Sequence, residues 1–195
     1  MSMRLYQTDR AILNDTYYDY LGRKVYKVHT PFHFPSRTTT ITKFLSPDVN
    51  NESPTIHGSS TRNVDEGTDN KSRDGLTVTP KPFVYLAQIN WRVRRRNTLR
   101  FGDGKEVAAV KFLRKNKCQE RAFTASDGVE YRWVLSLNSY KLFINTSPAT
   151  PIAKFHHWKS GVLNPNHVWA HLEIYPAGQH ITDEIFLTFI YIEQI

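Results

Sequence analysis

The chain is short of sulfur and short of acid. It has one cysteine, Cys118, and two methionines in 195 residues. A lone cysteine excludes an intramolecular disulfide and a cysteine-rich zinc site, and it fits a reducing compartment. Acidic residues number 18 against 26 Lys and Arg, so the formal net charge is +8. No apolar run reaches the roughly 18 residues that a membrane-spanning helix needs. Met1 to Tyr20 also lacks the apolar core of a secretory leader. The four Asn-x-Ser/Thr triplets at Asn14, Asn51, Asn70 and Asn145 therefore read as chance matches. A mean hydropathy of −0.51 completes the outline of a globular chain long enough for one domain.

Aromatic residues are missing from one stretch. Ser46 to Pro80 has none in 35 positions and only five aliphatic side chains (Val49, Ile56, Val64, Leu76 and Val78). Such a segment cannot bury enough apolar surface to offset its conformational entropy. The expected organisation is a single domain over residues 1–195 with a flexible low-complexity insert at 46–80.

What remains alternates as strands do. Phe83, Tyr85, Ala87, Ile89, Trp91 and Val93 interleave with more polar neighbours at a period of two, which predicts a strand with those aromatics on its core face. Ser126-Asp127-Gly128 is a hairpin signal between Arg121–Ala125 and Val129–Leu135. Further strands are expected at Lys24–Thr30, Arg37–Phe44, Thr98–Phe101, Ser139–Asn145, Pro151–His157 and His167–Tyr175. Lys105–Lys117 reads as a strand followed by a short helix near Val110–Lys115. Strands at this spacing predict a sandwich or barrel. Ile185 to Ile195 is apolar almost all round. Propensity favours a strand there, but Thr182 as N-cap with Asp183 and Glu184 in a first turn favours a helix. A helix apolar on every face needs burial on every face.

The order of short motifs resembles the fungal domain of unknown function 6593, a family of the tubby C-terminal-like superfamily. The residues that carry the resemblance begin with Leu21 through Val28, Thr30-Pro31-Phe32 and Arg37 through Ile41. Leu86 through Trp91, Arg100-Phe101-Gly102, Phe123-Thr124, Asp127-Gly128 and Glu130 through Trp133 follow. The last are Ala153 through His156, Leu172-Glu173-Ile174 and Asp183 through Glu193. The resemblance implies a mainly β fold: a closed antiparallel barrel of about 12 strands around one buried apolar C-terminal helix. It resolves Thr182–Glu193 as that helix. Superfamily members include phosphoinositide-binding tubby domains, phospholipid scramblases and plant defence-related proteins, but fold likeness does not carry function. No tubby-type lipid-binding motif maps onto this sequence.

The charge is concentrated. Arg92 to Arg121 holds eleven cations and three acids, a surplus equal to that of the whole chain. Arg92, Arg94, Arg95, Arg96, Arg100, Arg114, Lys115 and Lys117 are the candidate anion-binding residues, with Arg94 to Arg96 at a hairpin tip. A phosphoinositide-bearing membrane surface is the expected ligand. A solvated basic face is the plain alternative, and nucleic acid is a third reading, weakened because Phe83, Tyr85 and Trp91 share a core face. A protein partner of the 46–80 insert is a further alternative. The expected compartment is the cytoplasm, at membranes when the basic face is engaged, with the nucleus as the alternative.

Catalytic and metal chemistry find no support. His167 and His171 on a strand stand about 13 Å apart, too far for one ion. His156 and His157 point to opposite faces. Gly102-Asp103-Gly104-Lys105 lacks the first glycine of a phosphate loop and reads as a β-turn. Cys118 has no His or Asn at a nucleophile's spacing. No catalytic residue, metal site or cofactor is expected, and the reading is a non-enzymatic binding module. Trp91, Trp133, Trp158 and Trp169 are expected in the core and wall, with Trp158 as the one that could sit at an interface.

Overall fold

A computed structural model describes residues 1–9, 11–31, 36–45, 83–93, 96–137, 139–146, 148–158 and 169–195. The expected insert at 46–80 lies outside them. Thirteen strands form one antiparallel sheet. The first seven are β1 (Met3–Gln7), β2 (Asp15–Tyr18), β3 (Lys24–His29), β4 (Ser36–Phe44), β5 (Phe83–Arg92), β6 (Thr98–Phe101) and β7 (Glu106–Ala108). A four-residue helix, α1 (Ala109–Phe112), intervenes. The sheet resumes with β8 (Arg114–Lys115), β9 (Glu120–Thr124), β10 (Glu130–Ser136), β11 (Ser139–Ile144), β12 (Pro151–His156) and β13 (His171–Ile174). A 3₁₀ turn at Pro176–Ile181 leads into α2 (Thr182–Ile192).

Local chemistry sets these elements. Between β9 and β10, Gly128 takes φ +79°, which favours glycine, and Asp127 Oδ1 accepts the Val129 N–H at 2.9 Å. Along β10 the alternation is expressed directly: Tyr131 and Trp133 are buried while Glu130 and Arg132 are partly exposed.

Except for β7 and β8, each strand pairs with the next in sequence, and β1 pairs with β13 in the register Met3↔Ile174 to Tyr6↔His171. The order therefore runs β7 to β1, then β13 to β8. It is not closed by hydrogen bonds. The resemblance implied a closed barrel, but the ladder stops at β7 and β8, where the chain spends four residues on α1 instead of a strand pair. Packing covers this seam: the Phe112 ring lies 5.3 Å from Phe101 of β6 and 5.8 Å from Phe123 of β9.

The sheet curls around α2. Phe186 stacks on Tyr26 of β3 at 4.2 Å and meets Tyr17 of β2 edge-on at 4.8 Å. Tyr191 stacks on Trp91 of β5 at 5.4 Å, and Phe189 touches Phe155 of β12 at 4.5 Å. Ile185 through Ile192 are all buried. Each large apolar side chain so buried contributes roughly 2 kcal/mol relative to exposure. Thr188 is the polar exception. Its Oγ1 donates to Glu184 O at 2.8 Å and accepts the Trp133 Nε1–H at 3.0 Å. At the N-terminal end, Tyr26 Oη donates to Asp183, Lys43 Nζ lies 2.9 Å from that carboxylate, and Glu184 accepts from Ser126 N at 2.7 Å.

Several expectations need correction. Thr182 is the first helical residue rather than the N-cap; Ile181 precedes the helix, and Thr182 Oγ1 donates backward to Gln179 O at 2.7 Å. The strand expected from His167 begins at His171; of the residues before it, Trp169 and Ala170 are outside the ladder and 167–168 are outside the described residues. On β5 the core face covers only Ala87, Ile89 and Trp91. Phe83 and Tyr85 are exposed, because the β4–β5 ladder shifts register between Ile41 and Thr42 and runs on past the core. Trp169 is 59% exposed rather than in the core or wall.

Candidate functional site

Two surfaces stand out, and their chemistry is opposite. The first is basic. Arg92 ends β5, and its N–H donates to Asn97 Oδ1 at 2.9 Å, tying the hairpin into β6. Arg96 is exposed in that connection. Arg100 is exposed on β6 because its neighbour Leu99 faces the core, and Glu106 of β7 stands directly across from it. Arg94 and Arg95 lie outside the described residues. Arg114 and Lys115 are on β8 beyond α1, paired in register with Ala122 and Arg121, and Lys117 is exposed just after them. Arg114 is committed to Glu130. The candidate cations thus fall into a hairpin group and a β8 group, on either side of the α1 seam.

The second surface is a cleft of about 640 Å³, which sequence reasoning missed. One wall comes from the end of β1 and the turn after it: Gln7, Thr8, Asp9 and Ile12. Asp15 shapes this wall. Its carboxylate accepts the Thr8 N–H at 2.9 Å and the Asp9 N–H at 3.0 Å. The other wall comes from β12 and its continuation, Phe155, His157 and Trp158, with Trp169 and Ala170 ahead of β13. The Phe155 and Tyr140 rings meet the His157 ring edge-on at 4.8 and 5.0 Å. Burial holds the His157 pKa below the usual histidine range, so its ring is neutral at pH 7.

The fold also buries polar atoms with unmet hydrogen bonds. His157 Nε2, Tyr17 Oη and Glu193 Oε1 are buried with no hydrogen-bond partner among the described residues. Tyr17 stands opposite Gln7 in the β1–β2 register, and the Glu193 carboxylate raises the pKa of both Tyr17 and Tyr140 after the larger effect of their own burial. Glu193 follows α2, and burial pushes its pKa up to about 7. His157 was legible as one signal: two residues beyond the inward Phe155, it occupies an inward register.

The other histidines assemble differently. His156 and His171 stack at 4.4 Å between ring centroids, and His156 Nε2 meets Glu173 at 3.3 Å. Among the described residues no group of three or more His, Cys, Asp or Glu has the arrangement of a metal site. No described helix is long and apolar enough to cross a membrane. Cys118 is an exposed free thiol.

Together the fold and the cleft define a class: a single antiparallel sheet wrapped on an apolar helix, with a small-molecule-sized opening between the end of β1 and β12. The chain belongs to the family of unknown function DUF6593, whose model matches residues 7–195. No curated protein and no solved structure matches it.

Proposed function

We propose that the chain is a non-enzymatic binding module for an acidic surface, a phosphoinositide-bearing membrane above all. The observation that carries this is the set Arg92, Arg96, Arg100, Lys115 and Lys117: all are exposed, and none forms an ion pair among the described residues. Exposed cations outside ion pairs attract anionic lipid by about 1 kcal/mol each near the surface, Arg100 by less because Glu106 stands across from it. In that reading the sheet is a barrel whose last gap is sealed by Phe112 packing.

The test is co-sedimentation with phosphatidylcholine vesicles, with and without phosphatidylinositol 4,5-bisphosphate, at low and physiological salt. The chain pellets with the anionic vesicles and releases as salt rises. Replacing Arg94, Arg95 and Arg96 with Ala weakens binding by about 3 kcal/mol, roughly 100-fold. Equal pelleting with both vesicles, or no effect of the triple replacement, overturns the proposal.

A further inference from the structure

The ladder registers fix which connections share an end of the sheet, since alternate connections of an antiparallel run lie together. Ser136↔Ser139, Ser139↔His156, His156↔His171 and Tyr6↔His171 bring the β10–β11 turn, the β12–β13 connection and the β1–β2 connection to one end. Gln7↔Tyr17, Asp15↔Val28 and His29↔Thr40 carry that end across to Ser36↔Arg92, where the β5–β6 hairpin begins. Lys115↔Arg121 and Glu120↔Val134 add the β8–β9 loop from the other side. The last turn of α2 also lies here, with Tyr191 stacked on Trp91.

This rim carries apolar side chains in the open. Leu137 is 98% exposed, Val93 76% and Trp169 59%, and Trp158 is exposed beside the cleft. Such side chains scattered singly are ordinary. These four share the rim with Arg37, Arg92, Arg96 and Lys117, all exposed and none in an ion pair among the described residues. Asp9 is the one exposed acid on it among the described residues, so the rim as a whole is positive. The opposite end also shows apolar side chains, Tyr20, Leu21, Leu45 and Phe83 among them. There, however, Arg23 and Lys43 are paired with Asp19 and Asp183, and Asp103, Asp127 and Glu184 stand against Lys24 and Lys105. Charge separates two ends that apolar exposure does not.

Given the membrane reading above, on which this rests, we propose that the chain meets an anionic bilayer end-on with this rim: Trp158, Trp169, Leu137 and Val93 enter the interface while the rim cations hold lipid phosphates. Tryptophan suits that depth, because its ring is apolar and its N–H stays with the headgroups. The cations supply a long-range attraction that salt screens. The apolar side chains supply a short-range adhesion that salt does not screen.

The experiment titrates the full chain with phosphatidylcholine vesicles holding phosphatidylinositol 4,5-bisphosphate, made with and without phosphatidylcholine brominated high on its acyl chains. Trp91 and Trp133 are buried in the core, so the bromine reaches only Trp158 and Trp169. Binding shifts the tryptophan emission to the blue, and the brominated lipid quenches it. Replacing Trp158 and Trp169 together with Phe abolishes both signals while the chain still pellets. Leu137→Ser weakens partitioning about fivefold, whereas Leu21→Ser, the same loss at the opposite end, changes it by less than about twofold. Both leucines are exposed, so neither variant disturbs core packing. Salt-sensitive pelleting without quenching by the brominated lipid, or equal weakening by Leu137→Ser and Leu21→Ser, overturns this orientation and leaves the membrane reading standing. Absence of pelleting with the anionic vesicles overturns both.

Discussion

Replacing Thr188 with Val tests whether α2 is held in the sheet by a specific bond or by apolar packing alone. Both Thr188 and Trp133 are fully buried, and the Trp133 indole N–H donates to Thr188 Oγ1 at 3.0 Å. Val has the same shape but offers no acceptor. The indole N–H is then stranded in an apolar surrounding, which costs about 1–3 kcal/mol. The added methyl recovers up to about 0.8 kcal/mol of apolar transfer. The expected net loss is about 1–2 kcal/mol, a fall in Tm of about 2–8 °C for a chain of this size. Thr188→Ser keeps the oxygen and loses only a methyl, so it costs about 1 kcal/mol through packing. Urea unfolding followed by circular dichroism measures each value, provided the m-value is unchanged. The decisive arm is the double-mutant cycle with Trp133→Phe, which removes the donor. A coupling energy of about 1 kcal/mol is expected; one below about 0.3 kcal/mol means the bond contributes nothing and refutes the reasoning.

Two other outcomes follow from the same core. Burial raises the Glu193 pKa to about 7 from an unfolded value near 4.3, so between these pH values the folded state holds a proton that the unfolded state has lost. Stability therefore falls as pH rises across that window and levels off above it. Glu193→Gln removes the slope and is more stable than the parent at a pH of about 8 but not at about 4; parallel pH curves for the two proteins would contradict this. Gly178→Ala places a Cβ 2.6 Å from Ile152 Cγ2 and 3.0 Å from Ile152 O, so the buried Ile152 must shift. It costs about 1–3 kcal/mol in urea unfolding, and a neutral or stabilising result would show that the contact relaxes freely.

Much of the sheet was legible because alternation is a local signal. β3, β4, β6 and β9 to β12 lie within two residues of their expected bounds. The helix was only half legible in the residues: propensity at Ile185–Ile195 favours a strand, Asp183 and Glu184 ahead of it favour a helix, and the family resemblance decided between them. β1 and β2 were not, since Met3–Gln7 and Asp15–Tyr18 are too short to show a period, and β1 is defined by its distant partner β13. The seam was hidden for a related reason: nothing local in Ala109–Phe112 says that the flanking strands fail to pair. The basic segment was visible by counting. The cleft was not, because its walls come from β1, β12 and the approach to β13, and one of them rests on Asp15 holding a turn six to seven residues away. Trp169 carries no sign in sequence that separates an exposed tryptophan from a core one.

The order in which the elements occur has a consequence for synthesis on the ribosome. Every strand precedes α2 in the chain, and β1 bonds to β13 across some 170 intervening residues. The nascent sheet is therefore made with its apolar face bare and β1 unpaired on one side until β13 and α2 have followed. Long-range closure of this kind is slow, and exposed edges invite wrong partners. For this chain, the order of elements leaves the apolar face exposed until α2 has been made.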